Sequence, residues 1–162
     1  MGENDAASLL PLDALSSIFV SVGAVDVLMG AGLVCHSWLE AAKLPDVWRA
    51  VDMENHKVVF ERDAFVLCAM AKAAAAVDRS HGQLRVFAGE RFVNNALLKY
   101  ILERFVLLEL RSLDLDDTYI TVGELTAVLE SCPLLEVLRV HNCFEIYDDD
   151  EHACPATEIR PD

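Results

Sequence analysis

Leu110-Arg111-Ser112-Leu113-Asp114-Leu115 is followed, 25 residues on, by Leu135-Glu136-Val137-Leu138-Arg139-Val140. Both stretches read Leu-x-x-Leu-x-apolar. Successive side chains of a strand point to opposite faces. One face of each stretch is therefore aliphatic, while Asp114, Asp116, Arg139 and His141 face the other way. A weaker copy, His81-x-x-Leu84-x-Val86, lies 29 residues before the first. Helical patterns fill the gaps. Asn95–Phe105 places Leu97, Leu98, Ile101, Leu102 and Phe105 on one side, and Thr121–Ser131 does the same with Leu125, Val128 and Leu129. Thr121-x-x-Glu124 is a capping box, and Pro133 stops the helix it opens. A short strand and a helix recurring every 20–29 residues is the pattern of a leucine-rich repeat, the alternative being an ordinary βαβαβ fragment of an α/β domain. A single unit cannot bury its aliphatic face alone, so the units must stack.

Upstream of these units the pattern is helical. Residues 61–79 carry Ala64, Leu67, Cys68, Ala71 and Ala75 at helical spacing, and Gly82 ends that run. Nearer the N-terminus, Pro11 opens a helix with Leu15, Ile18, Phe19 and Val22 at i, i+3, i+4 and i+7. Gly23 closes it. Asp26 caps a second, short helix through Val27, Leu28 and Met29. A third runs over Leu33–Lys43, and Pro45 breaks it ahead of a turn that carries Trp48. Three helices this short bury little against one another, so the unit is expected to offer a leftover apolar face to a partner. Ser17–Cys35 has the length of a membrane span. Asp26 at its centre costs ~2.5–3.5 kcal/mol on insertion, and the stretch is read as buried helices instead.

Composition narrows the function. Of 162 residues, 54% are hydrophobic, enough to build a core. Net charge is −14 and there is no basic run, which speaks against nucleic acid or an anionic membrane as ligand. Residues 145–162 hold seven acidic residues against one arginine and are read as a solvated, disordered tail. Five cysteines without framework spacing suit buried thiols in a reducing compartment, cytoplasmic or nuclear. His141-x-Cys143 and His152-x-Cys154 do not match the ligand spacings of structural zinc sites. No constellation of nucleophile, base and orienting acid is evident, and no phosphate loop. Neither a catalytic residue nor a cofactor is therefore expected.

The N-terminal segment also carries a specific spacing: Leu10-Pro11-Leu12-Asp13, then Ile18-Phe19, then Val34-Cys35-x-x-Trp38, then Pro45-x-x-Trp48-Arg49. Over residues 9–53 this resembles an F-box. With Ala76-Val77-Asp78-Arg79-Ser80-His81-Gly82 and the Ser131-Cys132-Pro133 turn, the chain is similar to plant F-box proteins with short leucine-rich repeats. Gly23-Ala24 departs from the common Leu-Pro before the second helix. The resemblance implies an α/β chain: a three-helix F-box at 9–53, a linker helix at 54–80, a short repeat solenoid of two to three coils at 81–144, and the tail at 145–162. It also implies a non-catalytic subunit of an SCF ubiquitin ligase. Such a subunit docks a Skp1-type adaptor, and through it a cullin, and recruits a protein substrate. A relative that occupies the adaptor without recruiting a substrate is the alternative reading. Carried over residue by residue, the adaptor contacts would be Leu10, Pro11, Leu15, Ile18, Phe19, Val34, Cys35, Trp38, Pro45 and Trp48. The substrate face would present Arg85, Phe87, Asp114, Asp116, Arg139 and His141.

Overall fold

The computed structural model describes residues 10–54, 63–104, 109–143 and 157–159. The polar connection at 55–62, Phe105, His152, Cys154 and most of the acidic tail lie outside the described residues.

Helix α1 (Leu12–Val22) follows Pro11, whose carbonyl accepts the first helical bond, from Leu15 N–H at 3.0 Å. Gly23 stands at φ +97°, a conformation in which a side chain is strained, and the chain bends there into α2 (Ala24–Met29). Asp26 lies in the first turn of α2 rather than ahead of it. A 3-10 turn (Ala31–Leu33) leads to α3 (His36–Ala41), which starts later than its periodicity suggests because Cys35 is fully extended. A second 3-10 turn spans Pro45–Trp48. Among the described residues no single helix is long and apolar enough to cross a membrane. Leu12–Val22 and Ala24–Leu33 reach that composition only as a pair bent by 112°.

The chain then forms β1 (Ala50–Asp52), α4 (Asp63–Arg79), β2 (Val86–Glu90), α5 (Asn95–Arg104), β3 (Ser112–Asp116), α6 (Val122–Ser131), β4 (Val137–His141) and β5 (Thr157–Ile159). The five strands among the described residues make one sheet in sequence order. β1 to β4 are parallel, and β5 runs antiparallel to β4. Mixed helix and parallel sheet in this order is an α/β architecture. The Thr121 hydroxyl accepts from Glu124 N–H at the head of α6, one half of the expected capping box, whereas the Thr121 N–H donates to Asn95 Oδ1 at 3.1 Å in place of the Glu124 carboxylate.

The register shows how the units correspond. Val51 pairs with Phe87, Phe87 with Leu113, and Leu113 with Leu138. The buried frame is therefore Trp48-x-x-Val51-x-Met53, Leu84-x-x-Phe87-x-Gly89, Leu110-x-x-Leu113-x-Leu115 and Leu135-x-x-Leu138-x-Val140. Every member is buried except the half-buried Val140. This corrects the sequence reading in three ways. The weak copy is displaced by three residues, because Leu84 takes the first slot and not the second. Phe87, expected on the open face, fills the second slot and is fully buried. A fourth unit exists, built from the last residues of the N-terminal hook. A further departure is that Thr157–Ile159, read as solvated tail, forms a strand.

Backbone bonds repeat with the frame. The Arg49 carbonyl accepts from the N–H groups of Arg85 and Val86, that of Arg85 from Arg111 and Ser112, and that of Arg111 from Glu136 and Val137, all at 2.7–3.0 Å. The same arginines are tied sideways: Arg49 donates to Gln83, Arg85 to Glu109 and Arg111 to Glu136. Seven residues after Leu84, Leu110 and Leu135, Arg91, Asp117 and Asn142 adopt positive φ (31°, 49° and 49°) and turn the chain out of its strand. Gly89 occupies the third slot of its unit because there is no room for more. A Cβ there would lie 2.6 Å from Val93 Cγ2 and 3.0 Å from Phe92 Cζ.

Candidate functional site

Two surfaces carry the residues that sequence reasoning singled out. The first is the hook of α1 to α3. Leu10 and Ile18 (each 42% exposed), Val34 (57%) and Leu33 (87%) lie open on it, with Pro11. Leu12, Val20, Val22, Met29 and Leu39 are exposed beside them. Exposed apolar side chains scattered singly are ordinary, but this many on one short unit is not. The serines among them carry little desolvation penalty. Ser16 and Ser17 donate to the Asp13 carbonyl at 3.0 and 2.9 Å, and Ser21 to the Ser17 carbonyl at 3.1 Å.

The other named hook residues lie deeper. Leu15 and Phe19 face the core, so the single stripe expected on α1 is split, with Ile18 and Val22 turned to solvent. The two sides belong to a helix clamped on one face only. Cys35, Trp38 and Pro45 are half-buried. Trp38 meets Phe19 edge-on, with ring centroids 5.3 Å apart. Its indole N–H is buried with no acceptor among the described residues. Trp48 is fully buried. Its N–H donates to the Ala42 carbonyl at 2.9 Å, and the Arg79 guanidinium lies 5.1 Å over its ring. Leu15, Phe19 and Trp48 thus hold the hook together from inside and present nothing to a contact face. Leu33, the most exposed apolar side chain of the hook, was missed by sequence reasoning. The signal for it is its position beside Gly30 and Gly32, in a turn too tight to bury it.

The second surface is the sheet face opposite the core slots, on which Ala88 and Glu90 are nonetheless buried. Asp52, Ala88, Asp114 and Arg139 share one row across the strands, and Glu90, Asp116 and His141 another. Arg139 reaches Asp114 at 3.3 Å, and Asn142 donates to Asp116 at 3.0 Å. Arg85 stands just before β2 and belongs to the arginine ladder rather than to this face. The face is acidic towards β1. Burial, and then the charges of Asp114, Asp52, Asp116 and Glu90, push the Glu54 carboxyl above the usual carboxylate range. Cys143 packs its sulfur 2.8 Å from the Thr118 hydroxyl and is buried. Burial pushes the Cys132 thiol up to about 11.

No family model matches the chain. It is 34% identical over 150 residues to F-box/LRR-repeat protein 23 of Arabidopsis thaliana, an alignment covering 90% of this chain and 32% of that protein. F-box/LRR-repeat protein 9 of the same plant is 27% identical over 179 residues, covering 94% of this chain and 72% of the relative. F-box protein SKIP19, also from Arabidopsis thaliana, is 36% identical over 104 residues, or 64% of this chain and 33% of that protein. The chain spans about a third to a half of the length of F-box/LRR-repeat proteins 21, 22 and 23.

Proposed function

The chain belongs to the plant F-box/LRR-repeat family, and from that premise we propose that it is a substrate-recruiting subunit of an SCF-type ubiquitin ligase. In this reading residues 9–53 are the F-box, 54–80 link it to a short leucine-rich-repeat solenoid at 81–144, and an acidic segment follows. The hook docks a Skp1-type adaptor, which joins it to a cullin. The sheet face, with Asp114, Asp116, Arg139 and His141, holds the target protein. The transfer of ubiquitin belongs to other subunits, so this chain supplies binding and no catalytic group. The free thiols of Cys35, Cys68, Cys132 and Cys143 fit a reducing compartment, cytoplasm or nucleus.

The observation that carries the reading is the set of apolar side chains that the hook leaves open, Leu33 foremost, with Leu10, Ile18 and Val34. A side chain of leucine size contributes ~1.5–3 kcal/mol when it passes from water into a packed interface. Leu33→Asp is therefore expected to weaken adaptor binding by roughly ten- to a hundredfold, at about 1.4 kcal/mol per tenfold. Because Leu33 is so exposed, its replacement should leave the fold and its thermal midpoint unchanged. Titration of a purified Skp1-type adaptor against wild type, Leu33→Asp and Leu10→Ala/Pro11→Ala tests this. A wild-type chain that binds no such adaptor, or a Leu33→Asp chain that binds as tightly as wild type, would overturn the assignment.

A further inference from the structure

The outer edge of β4 is closed in a way that the rest of the sheet is not. β1 to β4 are parallel, and each successive pair is joined through a helix or a long connection. β5 instead returns antiparallel, placing Thr157 opposite Val140, Glu158 opposite Arg139 and Ile159 opposite Leu138. Only three residues pair, and Pro155 and Pro161 bracket them in the sequence. The register is nonetheless specific. In that register the acidic position falls opposite Arg139 and a β-branched position falls opposite Leu138. The edge thus takes a short extended segment of β-branched–acidic–β-branched pattern, and every copy of the chain carries one.

Sixteen residues separate Val140 from Thr157. Extended, such a connection reaches ~50 Å, whereas neighbouring strands are only about 4.8 Å apart. It is far longer than a hairpin needs, and long enough to cross to a second molecule without strain. An unpaired strand edge is a template for another chain, and exchange of an identical element between two copies is a low-cost route to a symmetric dimer. We propose that the β4 edge is a strand-docking site, filled in cis by Thr157–Ile159, and that its trans occupant is the same segment of a second copy. This goes beyond adaptor docking and does not depend on it. A connection of this length holds its own strand at an effective concentration of the order of millimolar, so the closed monomer prevails when the protein is dilute. The net charge of −14 opposes association until salt screens it.

The test compares the full wild-type chain with Glu158→Pro, which removes the strand as donor while leaving the rest of the sheet in place. At about 1 mM protein, the concentration at which trans pairing begins to compete with cis, and in screening salt, light scattering after gel filtration is expected to show dimer for wild type and monomer for Glu158→Pro. A fluorescent peptide of residues 155–162 is then titrated onto both chains in dilute solution. It should bind Glu158→Pro saturably and wild type at least tenfold more weakly, because only the variant has a vacant edge. A wild type that stays monomeric, a Glu158→Pro chain that dimerises to the same extent, or a peptide that binds both chains alike or neither would each overturn the proposal. Circular dichroism of the variant checks that it is folded, and neither readout involves the adaptor.

Discussion

Replacing Gly89 by alanine probes the correspondence between the sheet units more directly than any other single change. Gly89 stands where the next unit has Leu115, yet its slot is already filled from the side. A Cβ would sit 2.6 Å from Val93 Cγ2, 3.0 Å from Phe92 Cζ and 3.3 Å from Phe87 Cε1. All three neighbours are fully buried and cannot swing out into solvent. Overpacking of this kind costs ~1–3 kcal/mol. The gain from stiffening the unfolded chain at a glycine returns ~0.4–1 kcal/mol. The net expectation is a loss of roughly 1–2 kcal/mol, which at ~2–4 °C per kcal/mol lowers the thermal midpoint by about 2–8 °C. Val93→Ala removes the atom of closest approach. In that background the added methyl should cost less, with only the tighter-than-usual approaches of Phe92 and Phe87 remaining, and the double-mutant cycle should return a coupling of about 1 kcal/mol or more. Urea unfolding of the four chains measures it. A Gly89→Ala chain as stable as wild type, or one whose penalty is unchanged by Val93→Ala, would show that this slot is not closed as described.

Two further expectations follow from the titrating groups. Burial and the surrounding carboxylates raise the Glu54 carboxyl, so the folded chain holds that proton more tightly than the unfolded one. Its ionisation therefore removes stability as pH rises from the ordinary carboxylate range through the raised one. Glu54→Gln should raise the thermal midpoint at pH 7 and leave it nearly unchanged near pH 4, below the unfolded value of ~4.3; an equal gain at both pH values, or a loss at pH 7, would contradict this. Among the described cysteines, Cys68 is exposed and Cys35 half-buried, whereas Cys132 and Cys143 are buried and the Cys132 thiol is held near 11. Brief alkylation of the native protein followed by peptide mapping should label Cys68 first and leave Cys132 and Cys143 unmodified until denaturant is added.

What could be read from the sequence was whatever repeats or is rare. The 25-residue step from Leu110 to Leu135 marked β3 and β4 because leucine fills nearly every inward slot there. The Val34-Cys35-x-x-Trp38 and Pro45-x-x-Trp48 spacing marked the hook. Illegible were the places where a neighbour supplies the bulk. Phe87 and Gly89 share a space that two leucines would otherwise fill, with Phe92 and Val93 completing it, so the pattern slid three residues and Phe87 was placed on the wrong face. β1 escaped notice because three residues, Ala50-Val51-Asp52, form a strand only through pairing with β2. On α1, a stripe at i, i+3, i+4 and i+7 identifies a helix but not how wide its buried side is. Leu15 and Phe19 are covered while Ile18 and Val22 are not, because the core lies against one side only. For the hook's open surface the sequence supplied the motif, and only packing separated Leu33 and Ile18 from Trp48.

Trp48 also decides how the two surfaces are related. It ends the hook, where its indole N–H is anchored on Ala42, and it fills the first core slot of the sheet, three residues before Val51. Arg79 at the end of α4 stacks over its ring from the far side. The next residue, Arg49, begins the ladder of carbonyls and side chains that passes through Arg85 and Arg111 to Glu136. The buried side chains form one continuous cluster from Leu15 to Leu138. Units within a chain move relative to one another unless a large apolar interface joins them. Here the joint is the core itself, and a hinge at residues 49–53 would have to strip β1 from β2 and unpack Trp48. The apolar face of the hook and the open face of the sheet are therefore held at one fixed geometry. A body docked on one is presented to a body docked on the other without any closing motion of this chain.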